Sequence, residues 1–247
     1  MDRLIHISLS AMKSAMSRQA VTANNLANAS TTGFRADIAS VRPVWLRGTG
    51  LPDRAFASEE VTAADMQGGA VTATGRPLDI ALNGGTLLSV QAEDGDEAYT
   101  RRGDLIVSDS GLLTTGDGHP VVGDGGPITI PPADRVTIND DGSVWIVPVG
   151  GDPNAPQQID RLKLTSATGS KIVKHLDGLF RVQDGGALPA DPAGRLTSHA
   201  LEGSNVNPTT ALVAMIEASR AWDTQVKMLT TAREMDTDTT NLMKLPS

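Results

Sequence analysis

Apolar positions recur in steps of three and four at both ends of this chain and in steps of two between them. From about Leu4 to Asn28, the residues Ile5, Leu9, Met12, Met16, Gln19, Ala23 and Leu26 follow a 4-3-4-3 rhythm, with Gln19 its one polar member. That spacing places them on a single narrow stripe of a helix, the kind that seats against another helix. From about Pro208 to Met243 the stripe returns as Leu212, Met215, Ser219, Trp222, Val226 and Leu229. A helix of some 35 residues spans roughly 50 Å at 1.5 Å per residue. A small β-domain is narrower than that, so part of the second helix is expected to need a partner from outside the chain.

Both helices carry end signals. Asn24, Asn25 and Asn28 precede Ser30, Thr31, Thr32, Gly33 and Phe34; Asn and Gly tolerate the left-handed backbone that closes a helix, and Phe34 is placed to fold back on the last turn. At the start of the second helix Asn207 can cap and Pro208 suits the first helical position, where its missing N–H costs nothing.

Between the helices the period changes. From Arg35 to Arg76 the rhythm fades among Pro43, Gly48, Gly50, Pro52, Gly68 and Gly69, which reads as a connector or extended arm. Strand runs then follow at 78–82, 86–91, 99–101, 105–107, 112–115, 128–130, 135–138, 143–147, 159–165, 179–182 and 195–200. Turn formers such as Asn83-Gly84-Gly85 and Asp140-Asp141-Gly142 separate them, and no crossover helices intervene. The expected fold is α+β: a mainly antiparallel β-domain, sandwich or irregular barrel, flanked by long N- and C-terminal helices of coiled-coil type. The corresponding divisions are 1–34, a connector at 35–76, a β-rich domain at 77–200, and 201–247.

Composition narrows the function classes. The 247 residues carry a net charge of -8 with no concentrated basic face, which argues against nucleic acid and anionic membrane as partners. Aromatic residues make up 3%, so the core must rest on Val, Ile, Leu and Ala; with no Cys, disulfides and thiol chemistry are excluded. The opening residues hold no continuous apolar block of the secretory kind, because His6, Ser8, Ser10 and Lys13 interrupt Leu4, Ile5, Ile7 and Leu9. No stretch reaches the roughly 20 apolar residues of a membrane span.

Candidate chemistry is thin. His6, His119, His175 and His199 are scattered, with no metal-ligand spacing, and the Asp-rich stretches near Gly95 and Gly142 lack the alternating ligands of a calcium loop. No serine elbow or phosphate loop is present, and Asp124 would repel phosphate from the Gly123–Gly126 turn. No catalytic, cofactor-binding or metal residue is nominated.

Longer motifs are more specific. Gln19-Ala20-Val21-Thr22-Ala23-Asn24-Asn25-Leu26-Ala27-Asn28-Ala29-Ser30-Thr31-Thr32-Gly33-Phe34-Arg35 resembles the N-terminal signature of the flagellar rod and hook family of axial proteins. Leu201-Glu202-Gly203-Ser204-Asn205-Val206-Asn207-Pro208 and the helix after it are similar to that family's second signature. The middle agrees through Arg76-Pro77-Leu78-Asp79-Ile80-Ala81-Leu82, Tyr99-Thr100-Arg101-Arg102-Gly103-Asp104, Gly118-His119-Pro120-Val121-Val122-Gly123 and Gly126-Pro127-Ile128-Thr129-Ile130-Pro131. One departure is Gly85-Thr86-Leu87-Leu88, where relatives often carry Gly-Phe-Phe, which removes aromatic bulk from the β-core.

The resemblance implies a structural subunit of the proximal rod, with a distal-rod or hook-type subunit as the neighbouring alternative. Its partners would be copies of itself and other rod proteins, proximal and distal. It would be exported unfolded through the flagellar type III apparatus to the periplasmic rod without a cleavable signal. A β-rich hydrolase with helical oligomerisation arms is the competing class, for which the sequence supplies no convergent polar groups. The implied assembly interface comprises Ile5, Leu9, Met12, Met16, Asn24, Asn25, Leu26, Asn28, Gly33 and Phe34 from the first end, and Leu201, Gly203, Ser204, Asn205, Val206, Leu212, Met215, Trp222, Val226 and Leu229 from the second.

Overall fold

A computed structural model describes the backbone of residues 2–45 and 55–243; the side chains of 2–8, 40–45, 55–62, 236 and 241–243, and so those of Ile5 and Trp45, lie outside the described residues, as do Gly48, Gly50 and Pro52. Helix α1 spans Asp2–Ala27 and helix α2 Pro208–Met243. Eighteen strands lie between them: β1 Asp37–Trp45, β2 Ala55–Ala64, β3 Val71–Ala73, β4 Ile80–Leu82, β5 Thr86–Gln91, β6 Glu97–Thr100, β7 Leu105–Val107, β8 Leu113–Thr115, β9 Val122–Gly123, β10 Gly126–Pro127, β11 Ala133–Ile138, β12 Ser143–Pro148, β13 Gln157–Arg161, β14 Leu164–Ser166, β15 Ile172–Lys174, β16 Phe180–Val182, β17 Leu196–Ser198 and β18 Ala200–Glu202. The chain forms two compact units. A helical unit holds α1, β1, β2 up to Ala63 and α2; a β-body holds Asn28–Ala36 and Ala64–Val206.

In the body every ladder is antiparallel. The central sheet runs β14-β5-β6-β16-β15, and a second runs β11-β12-β13. Because side chains alternate across a strand, β5 faces two cores. Leu88 and Val90 point into a large aliphatic cluster with Ile80, Leu113, Ile138 and Leu162, whereas Leu87 joins Tyr99, Phe180 and Leu188 on the other side. The main core is thus built of Val, Ile, Leu and Ala, as the scarcity of aromatics requires. At one hairpin, Gly142 takes a φ of 85° between β11 and β12, a left-handed turn that a side chain would strain.

No barrel closes among the described residues, which corrects the barrel half of the sequence expectation. The strands divide into one five-stranded, one three-stranded and five two-stranded sheets. Body strands are six residues or fewer within this unit, and register shifts interrupt β11-β12 and β12-β13, so no ladder runs far enough to wrap around. The helices agree closely with expectation in range, α2 being the longer at 36 residues.

Other differences are local. Residues 128–130 form no strand: Pro127, Pro131 and Pro132 lack N–H donors, and the segment is held by single bonds such as Leu113 N to Ile128 O at 3.0 Å and Ile130 N to Gly111 O at 2.7 Å. The run at 195–200 divides where His199 adopts a φ of 59°, so β17 pairs with β4 and β18 with β3. The run at 159–165 likewise divides into β13 and β14. The stretch 35–76, without rhythm in the sequence, carries β1, β2 and β3.

Candidate functional site

In the helical unit α1 packs against α2 and β1. Among the described side chains, the fully buried residues of α1 are small, Ser14 and Ala15, and α2 buries Ala211. Along α2 the shielded positions continue as Met215, Ala218, Trp222, Gln225, Leu229 and Ala232, again in steps of four and three. Small residues at such a contact let two helices approach closely. Other large apolar residues are exposed: Leu9 is 45% and Met16 56% exposed, and Leu212, Val213, Ile216 and Val226 are exposed on α2. Of the predicted stripe, Met12, Leu26, Met215, Trp222 and Leu229 are half-buried, while Leu9, Met16, Leu212 and Val226 are not covered by the chain itself.

One cleft marks where the predicted stripes meet. Met16 and Gln19 of α1 with Ser219 and Trp222 of α2 line an opening of about 230 Å³. Each helix contributes two residues, three apart in sequence and so on one face, to the lining.

The end of α1 is tied down by its asparagines. Asn25 Nδ2 donates to the Asp37 carbonyl at 3.0 Å while its Oδ1 accepts from the Asp37 N–H at 2.8 Å, and Asn24 Nδ2 donates to Asp37 Oδ2 at 2.8 Å. An amide that both donates and accepts can thus hold the first residue of β1 like a ladder partner. At α2, Asn207 Oδ1 accepts from Thr210 N at 3.1 Å, the cap read from the sequence, with Pro208 as first helical residue.

The remaining predicted residues gather in the body, around a carboxylate the sequence reading quoted without giving it a role. Glu202 is 2% exposed; its Oε1 accepts from Arg35 Nη2 at 2.6 Å and from Gly69 N at 2.9 Å. Its Oε2 accepts from Arg101 Nη2 at 2.5 Å and Nε at 3.0 Å. Arg101 spends its other donors on the carbonyls of Leu82, Gly84 and Thr86, so all five of its N–H groups are satisfied. Burial pushes the Arg101 guanidinium below its usual range; Glu202 opposes this, and the charge of Arg35 adds to it.

Backbone packs tightly here. Gly33, at φ 68°, donates to the Glu202 carbonyl at 2.8 Å, and a Cβ on it would lie 2.4 Å from the Arg101 carbonyl oxygen. Gly203 N donates to Ala70 O at 2.8 Å, and Asn205 accepts from Ala36 N while its Nδ2 donates to the carbonyls of Asp65 and Gln67. Leu201 sits in β18 opposite Thr72, Ser204 Oγ accepts from Val206 N, and Asn28 Oδ1 accepts from Thr31 Oγ1. The Phe34 ring, expected to fold onto the helix end, has Lys174 Nζ 3.8 Å from its centroid, and Lys174 also donates to the Arg35 carbonyl at 2.8 Å. The two signature segments are therefore stitched to each other inside the body. Arg35, Arg101 and Glu202 each flank a Gly-containing tight segment in the sequence, and that adjacency was the available signal.

Among the described residues no three His or carboxylate side chains come together as a metal group, and no helix is long and apolar enough to cross a membrane.

Comparison with known proteins matches these two sites. A family model described as flagella basal body rod protein covers residues 5–35, one described as flagellar hook protein FlgE/F/G D1 domain covers 81–146, and one described as flagellar basal body rod FlgEFG protein C-terminal covers 197–242. The chain is 41% identical to the flagellar basal-body rod protein FlgF of Salmonella typhimurium over 99% of its own length and 100% of that protein's. Identity to the FlgF of Escherichia coli is 42%, with 93% of each chain covered. The related FlgG of Bacillus subtilis is 30% identical over 99% of this chain and 100% of its own. A full-length match to rod subunits, with both signatures in order, shows a structural rod protein rather than an enzyme, and the chain belongs to the FlgF family of flagellar basal-body rod proteins.

Proposed function

We propose that this rod subunit polymerises through its two terminal helices, with copies of itself and with other proximal and distal rod proteins, to form part of the proximal rod that transmits torque. The carrying observation is the pair of uncovered apolar stripes, Leu9 and Met16 on α1 and Leu212, Ile216 and Val226 on α2, beside the open cleft under Trp222. Large aliphatic side chains left in water forgo about 25 cal/mol per Å² of burial, and a third helix seated in the cleft recovers it. In the assembled rod, the helices within 1–34 and 201–247 make the inner layer, 77–200 the outer body, and 35–76 the connection. The interface comprises Ile5, Leu9, Met12, Met16 and Leu26 with Leu212, Met215, Trp222, Val226 and Leu229; the asparagines and the segments 33–34 and 201–206 shape the place where the chain leaves the helices.

Delivery to the periplasm follows from the same reading: the chain passes unfolded through the flagellar export apparatus and needs no cleaved signal. Met16→Glu and Val226→Glu test the interface. Each is expected to abolish incorporation into basal bodies and motility while leaving the unfolding transition of the β-body unchanged. Normal swimming in either variant refutes the assignment.

A further inference from the structure

The Arg35–Glu202–Arg101 cluster has a property that assembly through helices does not use. Its members come from the N-terminal signature, the middle of the body and the C-terminal signature, 167 and 101 residues apart in sequence from Glu202. Arg35 is 1% and Arg101 3% exposed, so each is a cation out of water. Arg101 has carbonyl partners besides Glu202, whereas Glu202 holds the only hydrogen bond made by a described side-chain atom of Arg35, whose Nε and Nη1 are buried without one. A body closed without Glu202 would enclose two cations and no counter-charge, the arrangement buried sites tolerate least.

Backbone pairing points the same way. Among the described residues β3 and β4 have ladder partners only in β18 and β17, and Gly33 N and Gly69 N are both satisfied by Glu202 itself. Every one of these bonds waits on the segment 196–203.

We propose that Glu202 is a folding latch: the β-body closes only once the C-terminal signature has arrived, so that a chain still being made or moved stays open until almost its whole length is present. Arg35 and Arg101 supply the barrier by mutual repulsion, and Glu202 removes it. This stands apart from the helical interface, since every member lies in the body.

The test uses the full chain refolding from urea, with pulsed amide exchange. The amides of Gln91 and Leu113, bonded to Pro120 and Ile128, lie outside the C-terminal segment, whereas Gly203 N reports its docking on Ala70. A latch requires Gln91 and Leu113 to gain protection in the same kinetic phase as Gly203; protection of the first two in an earlier phase overturns the proposal. In the triple variant Arg35→Met, Arg101→Met, Glu202→Leu the charges are gone, and Gln91 and Leu113 are expected to become protected before Gly203; an unchanged single phase refutes the role of the charges. Glu202→Gln in the native background lowers the folded-to-unfolded ratio by about 10²–10³-fold, and no change in that ratio is equally fatal.

Discussion

Tyr99, the one tyrosine of the chain, is wholly buried where β6 faces Ser89 of β5 and Phe180 of β16. Its Oη accepts from the Leu188 N–H, and Leu188 is itself buried. Burial drives the phenol up to about 12, with the charge of Glu97 acting in the same direction and the Leu188 N–H against both. The folded phenol therefore holds its proton where the unfolded one, near 10, has lost it. Stability from this source is complete below the unfolded value and is lost as pH rises through the folded one. Tyr99→Phe leaves the Leu188 N–H without its acceptor and is expected to cost about 1–3 kcal/mol at neutral pH. Between pH ~10 and ~12 the wild type should lose stability that the variant does not, so their urea midpoints converge; parallel curves across that window would refute the burial argument. Gly33 belongs to the same scale. Its φ and the 2.4 Å that a Cβ would leave to the Arg101 carbonyl both demand a residue without a side chain.

At the scale of elements, the helical ranges were legible because a 3-4 rhythm sustained over five or six steps has no other common cause, and because Asn207 and Pro208 mark a start. The face each helix turns to its own partner was legible only in part. The rhythm of large apolar residues selects Met12, Met215, Trp222 and Leu229, which are shielded, together with Leu9, Met16 and Val226, which are exposed, whereas the fully buried Ser14, Ala15 and Ala211 are small and weigh little on any hydrophobicity scale. Strands were legible where they alternate or run apolar between turns, as at β5 and β12. They were missed where partners are remote, as at β3, whose residues are all exposed and whose ladder depends on β18. The carboxylate at the centre of the body escaped because burial of a charge is a property of the closed fold and leaves no periodic trace. A prediction separates the two helix faces in the isolated chain. Ala15→Phe overpacks a buried position of α1 and should lower helix stability by about 1–3 kcal/mol, read from urea melts by far-ultraviolet circular dichroism, whereas Leu9→Ser should stay within about 0.5 kcal/mol of wild type. Equal losses would mean that Leu9 is held within the chain.

Across the whole molecule, charge is divided as unevenly as structure. The body carries nineteen carboxylates against eleven basic side chains, and the rest of the chain ten of each, so the entire net charge of -8 belongs to the body. Copies brought together through the helices, as proposed above, would therefore bring like-charged bodies near one another, and the two contributions respond to salt in opposite ways. Screening shortens the range of repulsion from about 30 Å at 0.01 M to about 8 Å at 0.15 M, while apolar burial between helices is not weakened by added salt. Association of the full chain, followed by sedimentation, is accordingly expected to strengthen as ionic strength rises through that interval. The segment 28–206, which retains Arg35, Arg101, Glu202 and every bond among them, should remain folded and monomeric at both ends of it. Association that weakens with salt would place attractive ion pairs between bodies and not apolar helices at the heart of assembly, and a 28–206 segment that associates as strongly as the full chain would remove the helices from it altogether.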